Sequence, residues 1–354
     1  MAVGAVLLFW IFHSIFYQEA RTAAEMAGID WGQLSKSSQW QLAWTEGPVQ
    51  LWKTISLIPA TSLALSIALM GSTILLGVVR WRMVLAVQGI QLDSRRALAI
   101  SFVAHFFNSF LLGSTGGDLM KAYYAAHETH HKKTEAVMTV IVDRLIGLWA
   151  MLLFAGFMMI PNLTLLRSHE RLGMLSLIVL LMLGGCSVIM AVSFHGGISR
   201  IISGARNWLK RLPKGDVLER SLDATRKFGV SPWFITKTMG VSMILNLVCV
   251  LQLMVLSDGL DQNIRPSALF VIVPMIICIS AIPITPSGLG VRENLFVLML
   301  SSPPLFVDST SALSLSLLAY GGSLFWSLVG GVVYTTMKRR KDFQTVSAEE
   351  QQHR

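Results

Sequence analysis

The sequence predicts an all-α, polytopic integral membrane protein with about six full spans and two re-entrant half-helix pairs that enter from opposite sides. Three observations carry this expectation. The chain of 354 residues is 53% hydrophobic and only 14% charged, where a soluble domain carries about 25% charge. Several apolar runs approach or exceed the roughly 20 residues that span hydrocarbon, and the mean hydropathy is +0.59. Two further apolar stretches, Phe106 to Lys121 and Ile282 to Asn294, are broken by glycine- and proline-rich turns that carry charge. Lipid tolerates irregular backbone only where protein buries it or water reaches it. A pair of broken segments, one per half, is the sequence mark of a transporter's binding site.

The full spans read as 1–17, 58–79, 135–160, 172–194, 233–257 and 311–337. The first is short and has no basic n-region, so a span is expected there rather than a cleaved leader. The broken segments, 97–126 and 267–302, read as re-entrant pairs. Loop charge orders the path. Of the 29 Lys and Arg, 20 fall in 80–96, 119–134, 195–231 and 338–354, against six in 18–57, 161–171 and 258–266. The positive-inside rule then puts both termini in the cytoplasm of a cell (inner) membrane. It also sends the first broken pair in from the inside and the second from the outside, so that the two glycine turns are expected to face each other across a polar cavity. The net charge of +9 reports these loops, and no nucleic acid is expected as a partner.

On this reading residues 1–340 form one transmembrane domain and 341–354 a polar, disordered cytoplasmic tail. An outer loop at 18–57 holds Trp31, Trp40, Trp44 and Trp52, which read as an interfacial belt. The cytoplasmic loop 195–231 is basic and amphipathic. Ile198, Ile201, Trp208 and Leu209 make its apolar face, and Arg200, Arg206 and Lys210 supply charge.

The chemistry gathers at the two breaks. Gly113, Gly116 and Gly117 permit close approach of other groups. Ser114, Thr115 and Asp118 are candidate caps for a return half-helix that starts near Leu119. Ser287 has the same part for one that starts near Leu289, with Gly288 and Gly290 in the turn and Pro283 and Pro286 ending the incoming half. Each return half-helix is expected to aim free N–H groups and a positive dipole end at mid-membrane, which favours a phosphate or carboxylate.

Asp143 and Arg144 lie about 13 Å into the span 135–160 at 1.5 Å per residue. A charge at that depth costs about 2.5–3.5 kcal/mol unless it is paired or wet. Neighbours on a helix point about 100° apart, so the two need partners elsewhere, from among Asp118, Lys121, Arg292 and Glu293. Arg80-Trp81-Arg82 reads as an interfacial anchor of Trp with snorkelling Arg. Asn108 reads as a hydrogen-bonding group between apolar helices. His127, His130 and His131 read as a solvated helix end rather than a metal site. Cys186, Cys249 and Cys278 lie in apolar runs without ligand spacing. No metal and no cofactor is expected.

Arg80-Trp81, Phe107-Asn108, Gly116-Gly117-Asp118, Asp143-Arg144 and Gly288-x-Gly290-x-Arg292-Glu293 follow one another in an order and at spacings that resemble a known family. This is the flippase-like transmembrane domain of lysylphosphatidylglycerol synthases, found also as stand-alone proteins, and the resemblance covers about residues 1–340. It implies translocation of a lipid. It does not imply aminoacyl transfer, which belongs to a cytosolic domain that this sequence does not contain. Asp118, Arg144, Arg292 and Glu293 stand at the family's functional positions. Two departures are Leu112, where the family often has Pro, and Lys121, where it often has Arg. Lys keeps the charge but loses the bidentate phosphate geometry.

Three functions fit these residues. The first is a non-enzymatic flippase or transporter for an anionic or zwitterionic, phosphate-containing lipid, aminoacylated or polyprenyl-linked. The second is a membrane-embedded lipid-modifying enzyme, for which Asp118, Asp143 and Glu293 are the available acids. The sequence has no His-Glu-x-x-His and no Gly-x-Ser-x-Gly to support it. The third is a partner of a separately encoded lipid synthase.

Overall fold

The structure, a computed structural model, describes residues 9–10, 12–17, 20–21, 24, 30–110, 116–129, 132–194, 232–282, 285 and 288–352, and of 338–352 the backbone alone. The described residues are mostly helical, with no strand among them. In chain order the helices are α1 (Lys36–Ser56), α2 (Ala60–Val87), α3 (Ser94–Phe110), α4 (Gly116–Glu128), α5 (Lys133–Met159), α6 (Glu170–Phe194), α7 (Pro232–Gly259), α8 (Pro266–Ser280), α9 (Val291–Leu300) and α10 (Ser309–Gln352). A short helix, Leu163–Arg167, prolongs α5.

Five segments are long and apolar enough to cross a bilayer: Ala60–Val87, Lys133–Arg167, Glu170–Ser193, Trp233–Gly259 and Ser309–Met337. They match five of the six expected spans. The other, 1–17, falls partly outside the described residues, and the described residues of 9–24 are helical. The loop 195–231 lies wholly outside them.

Both broken segments fold as helical hairpins. In each, two helices pack against one another, α3 on α4 and α8 on α9. They have 17, 13, 15 and 10 residues. At 1.5 Å per residue none of them reaches the roughly 30 Å of a hydrocarbon core. In each hairpin the second helix packs back on the first.

Two elements differ from expectation. The outer loop contains a 21-residue helix, α1. Ser35 caps it, its Oγ accepting from the Ser38 N–H at 3.2 Å. Ala43, Gly47 and Leu51, at i, i+4 and i+8, form its buried face. Phe16 lies so close that a Cβ on Gly47 would meet the ring at 2.2 Å. The four tryptophans accordingly do not make one belt: Trp31 is buried, Trp44 donates to His13 Nδ1 at 3.2 Å, and Trp40 and Trp52 are exposed. The second difference is at the C-terminus, where α10 runs on as helix to Gln352 through the expected tail. That stretch holds Lys, Arg, Glu, Gln and Ala without Gly or Pro, a composition with high helix propensity.

The chain divides into two compact units. The first is Met1–Thr73, Gly147–Val188 and Ser242–Gly322, and the second is Ile74–Ile146, Ile189–Val241 and Ser323–Arg354. In the first, α8 is buried nearly all round, with Leu269, Ile272, Val273, Met275 and Ile276 at 2% exposure or less. This is the state expected of a helix that is hydrophobic on every face. In the second, Trp81, Leu85, Ile100, Val103, Tyr124 and Val140 draw α2, α3, α4 and α5 around one core. Each unit holds one hairpin.

Candidate functional site

In the second unit, the α3–α4 hairpin is closed at both ends. At the open end Arg96, near the start of α3, donates from Nε to Glu128 Oε1 at 2.9 Å at the end of α4. At the turn the two backbones touch. A Cβ on Gly117 would lie 2.0 Å from the Ala104 carbonyl oxygen and 2.6 Å from Asn108 Oδ1. The same Asn108 Oδ1 accepts the Gly117 N–H at 2.8 Å. Gly117 is thus required for closeness, because a side chain there would strike backbone. Gly117→Ala is expected to open the hairpin and lower stability by about 1–3 kcal/mol, read as a fall in apparent Tm in detergent. An unchanged Tm would show that α4 can shift freely.

The return half-helix starts at Gly116 rather than near Leu119, and so Asp118 sits in its first turn instead of capping it. Its carboxylate serves another element. Arg144 Nη1 on α5 donates to Asp118 Oδ2 at 2.7 Å. The neighbouring Asp143 points elsewhere, as the 100° step of a helix requires. Arg80 Nε on α2 donates to Asp143 Oδ1 at 2.8 Å, and Lys121 Nζ on α4 donates to Oδ2 at 3.3 Å. Lys121 Nζ also lies 4.3 Å from the centre of the Trp81 ring, a cation–π contact. Trp81 is fully buried, and its indole N–H donates to Thr139 Oγ1 at 3.3 Å, one turn before Asp143 on α5.

The two sets of ion pairs differ in access. Arg80, Lys121 and Asp143 are 12%, 11% and 8% exposed, whereas Arg144 and Asp118 are 37% and 28% exposed. Asp118 and Lys121, at i and i+3, lie on one face of α4, so a single helix joins the sets. In these pairs Asp143 takes two cations, Arg80 and Lys121, and Asp118 takes Arg144.

In the first unit, the α8–α9 hairpin turns through Gly288 and Gly290, both with positive φ (70° and 82°), a conformation open to glycine at little cost. Helix α9 starts at Val291, two residues later than expected. Glu293 folds back to its start, Oε2 accepting the Gly290 N–H at 2.6 Å, the spacing of an N-cap residue and its third helical position. Glu293 is fully buried, and its other oxygen accepts from Arg292 Nη2. Arg292 is fixed from α10: its Nε donates to Ser316 Oγ at 3.3 Å, and its guanidinium lies 4.7 Å from the centre of the Tyr320 ring.

One backbone donor at each helix start is taken. Gly117 gives its N–H to Asn108, and Gly290 gives its own to Glu293. An acceptor from the facing arm in one hairpin, and from three residues onward in the other, takes a donor expected to be free for an anion. Arg80-Trp81 is likewise no interfacial anchor. Helix α2 continues to Val87, so the pair lies inside it and packs into the charged cluster. The apolar Val84 and Leu85 beyond Arg82 were the signal for this. Ser316 and Tyr320, at i and i+4 on α10, are further site-lining residues that the broken segments alone could not reveal. Ser114, Thr115 and Ser287, with Pro283, Pro286, His130 and His131, lie outside the described residues.

Apolar helices of spanning length, together with two glycine-turned hairpins that each carry an arginine and a carboxylate, define a polytopic membrane protein with charge held in its helical segments. The chain belongs to the family of the lysylphosphatidylglycerol synthase TM region, whose model matches residues 38–331. A search of curated proteins returns no match.

Proposed function

We propose that this protein is a non-enzymatic flippase or transporter that moves a phosphate-containing lipid between the leaflets of the cell membrane, with both termini in the cytoplasm. Family membership supports a role with membrane lipids. The observation that carries the finer reading is the accessible Arg144–Asp118 pair beside the buried Arg80–Asp143–Lys121 triad. A phosphate takes the place of Asp118 on the Arg144 guanidinium, a group suited to bidentate phosphate contacts. The displaced Asp118 carboxylate then accepts an ammonium group on the same headgroup, so an aminoacylated or zwitterionic lipid exchanges ion pairs rather than losing them. The triad keeps Lys121, and through it α4, in place while this exchange occurs. Arg292 and Glu293 offer the first unit the same pair of charges, held more tightly by burial and by the cap at Gly290.

The test is transfer of a headgroup-labelled aminoacyl-phosphatidylglycerol between leaflets of proteoliposomes holding the purified chain. Faster loss of protected label than in protein-free vesicles is expected, with the lipid recovered chemically unchanged. A new lipid product would replace this reading with an enzymatic one. Transfer seen only when a lipid synthase is co-reconstituted would replace it with an accessory role.

A further inference from the structure

A cavity of about 660 Å³ opens in the first unit, and none of its lining residues belongs to the ion-pair clusters described above. Three segments wall it: the end of the span Lys133–Arg167, the start of α8, and the loop that follows α9. Its volume falls in the range of about 300–1,000 Å³ usual for small-ligand sites.

The lining is divided by chemistry. Met158, Leu165, Phe270 and Leu305 are apolar, whereas Thr164, Ser168, Ser267 and Arg265 bring hydroxyls and a cation. Arg265 is exposed, and no acid pairs with it among the described residues. Ser168 Oγ donates to the Leu165 carbonyl at 2.6 Å, which leaves its oxygen lone pairs available as an acceptor only. The guanidinium is therefore the strong donor of the cavity. Position in the sequence argues for a place at the end of the apolar spans. One wall is where an apolar span gives out into Arg167, and another is where α8 begins its apolar course after Arg265. Such a place has water on one side and acyl chains on the other.

We propose that this cavity binds a phospholipid with an anionic headgroup, its phosphate on Arg265 and the first carbons of its chains against Leu165 and Phe270. The site stands independently of the transport reading, since it shares no residue with the hairpin clusters. A snorkelling arginine alone explains the charge but not a mixed-lined cavity beneath it.

The experiment measures binding to the purified full chain in neutral detergent, with bound lipids counted by native mass spectrometry. The probes are dioctanoyl phosphatidylglycerol, dioctanoyl phosphatidylcholine and glycerol phosphate, which has the anion without the chains. Arg265→Gln is expected to weaken phosphatidylglycerol about tenfold, the loss of one charge-assisted contact, and to leave phosphatidylcholine unchanged. Ser267→Phe, which fills the cavity from an exposed position, is expected to weaken both lipids. Full binding by Arg265→Gln or Ser267→Phe overturns the proposal. Glycerol phosphate binding as tightly as the lipid overturns it in favour of a free-anion site.

Discussion

Asp143→Ala is expected to destabilise the protein by about 3–5 kcal/mol, the usual result of removing one partner from a buried ion pair. The structure gives the reason. Both oxygens of Asp143 are used, by Arg80 at 2.8 Å and by Lys121 at 3.3 Å, and all three side chains are nearly inaccessible. Without the carboxylate, Arg80 and Lys121 both lose it as a partner, and Lys121 lies against the buried Trp81 ring. A double-mutant cycle separates this from a cavity effect. Asp143→Asn and Arg80→Gln are each expected to lower the apparent Tm in detergent strongly. The double variant is expected to lose less than the sum of the two, because both single changes remove the same Arg80–Asp143 interaction. Strict additivity would show that Arg80 and Asp143 do not stabilise one another.

The breaks in the apolar segments were legible from sequence because Gly and Pro interrupt hydrophobic runs that otherwise have no reason to stop. The hairpins at 94–128 and 266–300 follow from that interruption. The need for Arg144 to find a partner off its own helix was also legible, since it rests only on the 100° step. Which partner it finds was not. Asp118 looked like a cap because aspartate favours such positions. Only the path of α5 past α4 shows that its oxygen meets Arg144.

Arg80 was misread for a local reason. Trp and Arg at the end of an apolar run look the same whether the helix stops there or continues. Here it continues by one to two turns, and that extension moves the pair from an interface to a buried cluster. Glu293 carried a readable signal that its charge obscured. Gly290-Val291-Arg292-Glu293 has the spacing of an N-cap and its third residue. The carboxylate proves to be both that cap and the counter-ion of Arg292. The helix α1 was legible in the same way, through Ser35 and the small residues Ala43 and Gly47, but tryptophans at an expected interface drew the reading toward a loop.

Arg144→Gln is expected to slow lipid transfer in proteoliposomes by about 10- to 100-fold while leaving the protein folded. A charge-assisted hydrogen bond contributes roughly 1.5–3 kcal/mol, and each 1.36 kcal/mol or so at a barrier is about tenfold in rate. The stability cost is far smaller than for Asp143. Arg144 and Asp118 are each about a third exposed, and in the water-filled headgroup path proposed above water screens both the intact pair and the charge left behind. Pairs of that kind are worth about 0–1 kcal/mol. Asp118→Asn is expected to act in the same direction, and most strongly on lipids whose headgroup carries an ammonium, since Asp118 is the group proposed to receive it. Arg144→Lys is expected to fall between wild type and Gln, because it keeps the cation but loses the planar fork. The contrast between the two sites is the decisive measurement. Asp143 variants should lose Tm and transfer together, whereas Arg144 and Asp118 variants should lose transfer at nearly constant Tm. Wild-type transfer by both Arg144→Gln and Asp118→Asn would remove the accessible pair from the lipid path and leave the proposed headgroup exchange without a site.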